Sequence, residues 1–211
     1  MMTMTKIKIC GITNVTDALK AAELGADAVG FIFYSKSKRC VDKETAKMII
    51  DSLPPFIAKV GVFVDEDEET VTEIQSYCGL TALQFHGNES AEYCAKFRNV
   101  IKAIRVKDEA DVRLAKKYEP HVSAILFDTY SDNMQGGTGK TFDWKMLSTL
   151  RLKKPVILSG GINAGNVTDA VDIVKPYAVD SASGTEAKPG KKDHGKMKML
   201  IDTVNAGDGC I

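Results

Sequence analysis

Short apolar runs alternate with segments of helical periodicity eight times between residues 6 and 204. Read as strands, the runs fall at 6–10, 27–33, 57–64, 81–86, 100–106, 121–127, 155–158 and 177–179. Between them apolar residues recur at intervals of three and four, as in Val15, Ala18, Leu19 and Ala22, or Ala46, Ile49, Ile50 and Leu53. That period places them on one face of a helix. Val167, Ala170, Val171 and Val174 repeat the pattern, and so do Met197, Leu200, Ile201 and Val204, ahead of a frayed polar end at 205–211. Asn14, with Asp17 three residues on, caps the first helix and Gly25 stops it; Asn163 caps the seventh, and Pro54 and Pro55 break the second. Further helices are expected over 65–77, 88–97, 108–118 and 142–150. The acidic start at 65–69 is a solvated cap that complements the helix dipole.

Parallel strands require such crossovers, and eight of them in 211 residues describe an α/β fold, a closed (β/α)8 TIM barrel forming a single domain over residues 1–211. A doubly wound open sheet is the alternative. It usually carries a Gly-rich turn after the first strand, which Cys10-Gly11-Ile12-Thr13 does not resemble.

In a barrel, chemistry sits where strands end. The turn Ser159-Gly160-Gly161-Ile162-Asn163 and the segment Asp180-Ser181-Ala182-Ser183-Gly184 follow the last two strands, with small residues that let backbone N–H groups converge on one anion. The pair, including Gly160, Gly161, Ser183 and Gly184, is expected to form a phosphate site, the alternative being two ordinary Gly-rich turns. The other strand-end candidates are Cys10, His86, Arg105 and Asp128, with Arg39 in the second loop. Cys10 reads either as a small buried apolar side chain or as a base whose pKa neighbouring cations lower. Asp128 follows Ala124-Ile125-Leu126-Phe127, where burial would favour the protonated acid; otherwise it is a turn residue. Among the cations of Ser35-Lys36-Ser37-Lys38-Arg39, an Arg fork is suited to gripping a substrate carboxylate, while Lys36 and Lys38 read as solvated. His86 either orients substrate or is a satisfied neutral histidine. His121 and His194 read as surface residues, and the lysines as surface-like throughout.

Lys+Arg and Asp+Glu balance at 28 each, so any anion site is local and neither nucleic acid nor an anionic membrane is an expected partner. No run approaches the ~20 apolar residues of a membrane span. Five cysteines without C-x-x-C spacing, after a start at 1–6 too polar for a signal peptide, suggest free thiols in a cytoplasmic setting. Three histidines without metal-ligand spacing argue against a metal site.

Several segments together resemble the phosphoribosylanthranilate isomerase family. They are Lys8-Ile9-Cys10-Gly11-Ile12-Thr13, Gly30-Phe31-Ile32-Phe33 with residues 35–39, Gln84-Phe85-His86-Gly87 and Phe127-Asp128-Thr129. Gly136-Gly137-Thr138-Gly139 with Phe142-Asp143-Trp144, Ser159-Gly160-Gly161-Ile162 and residues 180–186 complete the set. The resemblance runs from Lys6 to about Val204. It implies a (β/α)8 barrel of tryptophan biosynthesis that isomerises N-(5-phosphoribosyl)anthranilate without metal or organic cofactor, acting on this phosphorylated small molecule as a monomer or homodimer. By motif, Cys10 resembles the general base and Asp128 the general acid. Arg39 would meet the anthranilate carboxylate, His86 and Asp180 would contact substrate or shape its site, and the loop at 136–139 would fold over it. Ser181 and Ala182 depart from the family's usual residues, and Phe85 stands where leucine is commoner; backbone contacts to phosphate survive such changes.

Overall fold

In the computed structural model the described residues are 4–129, 142–148 and 150–209. Eight parallel strands close into a barrel in sequential order: β1 (Lys6–Cys10), β2 (Ala28–Ile32), β3 (Ala58–Phe63), β4 (Ala82–Phe85), β5 (Val100–Val106), β6 (Ala124–Thr129), β7 (Val156–Leu158) and β8 (Ala178–Ser181). β8 pairs with β1, Lys8 lying opposite Asp180, which completes the ring. Successive strand residues point to opposite faces. One set, including Val60, Ile101, Ala103, Leu126 and Ile157, fills the barrel interior. The other, including Ile7, Ile9, Phe31, Phe63, Phe85 and Phe127, packs under the helices. Burial on both faces explains the near-continuous apolar strands of the sequence.

Around the ring lie α1 (Val15–Leu24), α2 (Lys43–Asp51), α3 (Glu68–Cys78), α4 (Ala91–Cys94), α5 (Glu109–Tyr118), α6 (Val167–Val174) and α7 (His194–Gly209). Asn14 caps α1 by accepting from the Asp17 amide, and Gly25 ends it at φ 101°. Asp67 caps α3, so the acidic run is a helix start as its charges suggest.

Four expectations need correction. The fourth helix shrinks from 88–97 to Ala91–Cys94, because residues 86–89 are drawn into a hydrogen-bonded loop around the Glu89 carboxylate. Between β6 and β7 the described residues form a 3-10 turn, Trp144–Leu147, so strict α/β alternation breaks there. Asn166 rather than Asn163 precedes α6; Asn163 spends its amide on the Gly161 carbonyl. The last helix runs on to Gly209 where fraying was expected at 205.

One element had no precedent in the pattern. After β8 and a 3-10 turn at Ser183–Thr185, the chain forms a hairpin of β9 (Glu186–Lys188) and β10 (Lys191–Lys192). Asp17 on α1 ties it to that helix, accepting from the Lys192 amide at 2.8 Å and meeting His194 Nε2 at 2.8 Å. His194 is thus an anchor of the hairpin rather than a plain surface residue. Among the described residues no helix is long and apolar enough to cross a membrane.

Candidate active site

The parallel strands end together, and their inward-facing terminal residues line one mouth. Cys10 is the last residue of β1, His86 follows β4, Arg105 and Asp128 pair across β5 and β6, Ser159 follows β7, and Asp180 lies within β8. Period-two alternation carries Lys8 to the same face as Cys10, and Gln84 to that of His86.

At the floor of the mouth sits an ammonium group. Lys8 is 3 % exposed, with Nζ 3.0 Å from Asp180 Oδ1 and 2.9 Å from Gln84 Oε1. Burial works against its charge, but Asp180 and the neighbouring Cys10 outweigh it and hold the ammonium above its ordinary pKa. Asp180 also meets the Ser159 hydroxyl, whose Oγ lies 3.3 Å from the Asp180 carbonyl. On the far side of Gln84, Nε2 is 3.0 Å from His86 Nδ1, and His86 Nε2 is 3.1 Å from Asp128 Oδ2. The Thr129 amide donates to Asp128 Oδ1 at 2.8 Å. The Asp128 side chain is 26 % exposed, so it faces the mouth rather than the apolar enclosure its sequence neighbours suggested.

Cys10 is buried, and Gly30 makes room for it: a Cβ at that position would lie 2.7 Å from the sulfur. Its pKa follows the first of the two sequence readings, the buried side chain, rather than the cation-lowered base. Burial pushes the thiol up, and the ammonium groups of Lys8 and Lys192 only partly pull it back. Burial thus opposes the thiolate, while two cations are placed to favour it.

Arg39 is also buried. Its Nε and Nη2 donate to Glu186 Oε1 and Oε2 at 2.8 and 2.7 Å, a bidentate fork that raises its pKa further. Lys192 Nζ donates to the carbonyls of Cys10 (2.6 Å) and Ala182 (2.8 Å) and lies 3.5 Å from Glu186. Burial and the Arg39 charge pull its pKa below the ordinary lysine value, while Glu186 and Cys10 work in the opposite direction. The hairpin thus brings one carboxylate against two cations beside the thiol.

The two Gly-rich turns flank this group. Gly160 and Gly161 adopt φ 83° and 76°, and a Cβ on Gly160 would lie 2.3 Å from the Thr129 amide. A Cβ on Gly184 would lie 2.0 Å from the Ile162 carbonyl. Close backbone approach therefore requires glycine at both turns. The turn after β8 is shorter than expected, because Asp180 and Ser181 belong to the strand and Ser181 donates to the Ile162 carbonyl at 2.7 Å.

Glu186, Lys192, Lys8 and Gln84 were absent from the candidates. Lys8 and Gln84 carried a legible signal, since each stands two residues before a candidate in an alternating strand. Glu186 stood only at the end of the family-like segment 180–186 with no role attached, and Lys192 carried no signal. With Lys8, Lys102 and Lys192 buried, the surface-like reading of the lysines is overturned. Residues 136–139, expected to cover the mouth, lie outside the described residues.

A closed (β/α)8 barrel that gathers a thiol, a carboxylate, an imidazole and buried cations at the ends of its strands defines a barrel enzyme equipped for acid–base chemistry. Comparison with known proteins narrows that class. Residues 7–203 match the model of N-(5'-phosphoribosyl)anthranilate isomerase. The isomerase of Thermotoga maritima is 49% identical over 202 residues, covering 94% of this chain and 97% of that protein. Its crystal structure superposes with a TM-score of 0.89 at 46% identity, over 96% of this chain and 100% of that one; that protein is described as dimeric. A phosphoribosylanthranilate isomerase solved with reduced 1-(o-carboxyphenylamino)-1-deoxyribulose 5-phosphate superposes at 0.85, with 44% identity over 96% and 100% of the two chains. The chain belongs to the phosphoribosylanthranilate isomerase family, enzymes of tryptophan biosynthesis that convert N-(5'-phosphoribosyl)anthranilate to 1-(2-carboxyphenylamino)-1-deoxyribulose 5-phosphate.

Proposed function

We propose that this chain carries out that rearrangement by paired proton transfers, Asp128 acting as general acid and Cys10 as general base. Asp128 gives a proton to the ribose ring oxygen, and the ring opens to an iminium ion. Cys10, as thiolate, removes the proton from sugar carbon 2, giving an enolamine that tautomerises to the ketone. The iminium acidifies that carbon, and its positive charge joins Lys8 and Lys192 in favouring the thiolate. A thiol whose pKa burial raises is thereby drawn toward its reactive form as the cation develops. Each transfer supplies ~10²–10⁴ in rate.

Charge supports the binding roles. Arg39, Lys192 and Glu186 carry an excess of one positive charge when both bases are protonated, which a substrate carboxylate would neutralise. Glu186 occupies Nε and Nη2 of Arg39, leaving Nη1 to meet the anthranilate carboxylate. Gly160, Gly161, Ser183 and Gly184 present the backbone for the phosphate. His86 and Asp180 border the sugar, each also holding a neighbour in place.

The observation that carries this reading is the convergence of Cys10 and Asp128 on one barrel mouth between the carboxylate-suited fork and the phosphate-suited turns. Turnover of N-(5'-phosphoribosyl)anthranilate, followed by loss of its anthranilate fluorescence, tests it. Cys10→Ala and Asp128→Asn should each lower kcat by at least ~10²-fold with KM nearly unchanged. Wild-type rates in either variant would remove that residue's role.

We further propose that the chain forms a homodimer through the face opposite the mouth. Phe56, 97 % exposed, and Met4 and Tyr177, also exposed, precede β3, β1 and β8 at that end, and a close relative is dimeric. Sedimentation of wild type and Phe56→Glu would show a dimer and a monomer; a monomeric wild type would refute it. The unbridged Cys10, Cys40, Cys78 and Cys94 suit a reducing cytoplasm.

A further inference from the structure

Lys8 and Gln84 lie below the atoms that the reaction needs, yet their donor and acceptor chemistry fixes the state of His86. A lysine ammonium only donates, so the Gln84 atom 2.9 Å from Lys8 Nζ is the amide oxygen. The other end of that amide is then the NH2 group, which also only donates. It stands 3.0 Å from His86 Nδ1, so Nδ1 must be a bare lone pair. The imidazole proton is left on Nε2, 3.1 Å from Asp128 Oδ2. Protonating Nδ1 would set two donors against each other in a half-buried position, where an unmade hydrogen bond is costly.

We infer that Lys8 and Gln84 are positioning residues for this isomerisation: the Lys8 ammonium orients the Gln84 amide, which locks His86 as its neutral Nε2–H tautomer and so holds the Asp128 carboxyl at the mouth. The inference rests on the reading of Asp128 as general acid. Four hydrogen bonds link Asp180, Lys8, Gln84, His86 and Asp128 in series from β8 to β6. Lys8 also stands beside Cys10, so one buried charge bears on both the base and the acid.

This chain has a direction. Asp180 balances Lys8, so the ammonium sits in the barrel without an uncompensated charge. Gln84, 1 % exposed, has no freedom to flip, since the reverse orientation would turn its NH2 on the ammonium. The groups facing His86 are Gln84 on β4 and Asp128 on β6, while Arg105 on β5 donates to its backbone carbonyl at 3.1 Å. None of these offers Nδ1 an acceptor. His86 is thereby a fixed donor to Asp128 rather than a relay that takes the acid's proton, and Asp128 keeps one carboxyl position for substrate.

Nitrogen-15 spectra of the histidine side chains in the substrate-free protein test the claim, His86 being assigned by its loss in His86→Asn. Wild type should show Nδ1 unprotonated and Nε2 protonated at neutral pH. Gln84→Glu turns the Nδ1 neighbour into an acceptor while still accepting from Lys8. Its Nδ1 should gain a proton at the same pH, and kcat should fall on the order of tenfold to a hundredfold, with KM moving less than about threefold. Gln84→Leu, which keeps the packing but sets no acceptor against Nδ1, should lower kcat less than Gln84→Glu; an equal or larger loss would contradict the inference. Wild-type His86 protonated at Nδ1, or an unchanged tautomer in Gln84→Glu, would overturn it. A shifted tautomer with wild-type kcat would overturn its catalytic half. The spectra need no substrate, so an active Asp128→Asn variant would sink the acid assignment while leaving the tautomer result standing.

Discussion

Gly30 sits across from Cys10 in the β1–β2 ladder and shows how little space the thiol has. A methyl group there would lie 2.7 Å from the Cys10 sulfur, 3.2 Å from its Cα and 3.2 Å from Lys8 Cε. Ordinary contact requires roughly 3.5–4.0 Å between such atoms, so in Gly30→Ala the sulfur must move by about 1 Å. It cannot move freely, because the second contact is with its own backbone and the third with a lysine pinned to Asp180 and Gln84. Overpacking of this kind costs about 1–3 kcal/mol of stability. A reacting group misplaced by about 1 Å costs on the order of 10²-fold in rate, or about 2.7 kcal/mol of barrier. Gly30→Ala should therefore lower kcat about a hundredfold, leave KM within a few-fold, and reduce the urea-derived unfolding free energy by 1–3 kcal/mol. Steady-state fluorescence kinetics and urea titration read both quantities. A folded variant with wild-type kcat would refute the view that the seat of this sulfur limits catalysis.

Arg39→Ala should act on binding. A charge-assisted hydrogen bond is worth about 1.5–3 kcal/mol, so KM should rise about 10- to 100-fold while kcat changes little; an unchanged KM would remove the carboxylate assignment. Asp17 should report on pH. Burial opposes its ionisation, but hydrogen bonds from the Lys192 amide, Asn14 and His194 prevail and hold its carboxyl below the usual range. A depressed folded-state pKa contributes stability that is present above the unfolded value, near 3.9, and lost as pH falls through the folded one. Asp17→Asn should thus cost about 1–3 kcal/mol at pH 7, with the gap to wild type narrowing below about pH 4. Urea unfolding at both pH values measures it, and a gap independent of pH would contradict the sign.

The barrel was legible because each strand is buried on both faces and each helix on one, which writes two distinct periods into the chain. Caps at Asn14 and Gly25 and the break at Pro54 follow from local backbone chemistry and appear where expected. The hairpin of β9 and β10 was not legible. Glu186 and Lys192 are held by partners at Arg39, Asp17 and Cys10, more than a hundred residues away, and nothing in the local pattern marks them. Lys8 was marked only by its alternation with Cys10. A charged residue in a strand reads as solvent-facing unless its partners, here Asp180 and Gln84, are seen to close around it. The thiol's raised pKa belongs to the same category, since cations near Cys10 were foreseeable but the extent of its burial was not.

The central claim is that Cys10 removes the proton from sugar carbon 2 after Asp128 has opened the ring. Single-turnover kinetics with substrate deuterated at carbon 2 test it most directly, using Cys10→Ser, in which a poorer base makes proton removal slow, and Asp128→Asn, in which ring opening becomes slow. Deuterium should slow Cys10→Ser markedly and leave Asp128→Asn unaffected. The reverse pattern, or a Cys10→Ser enzyme that turns over at the wild-type rate, would contradict the account.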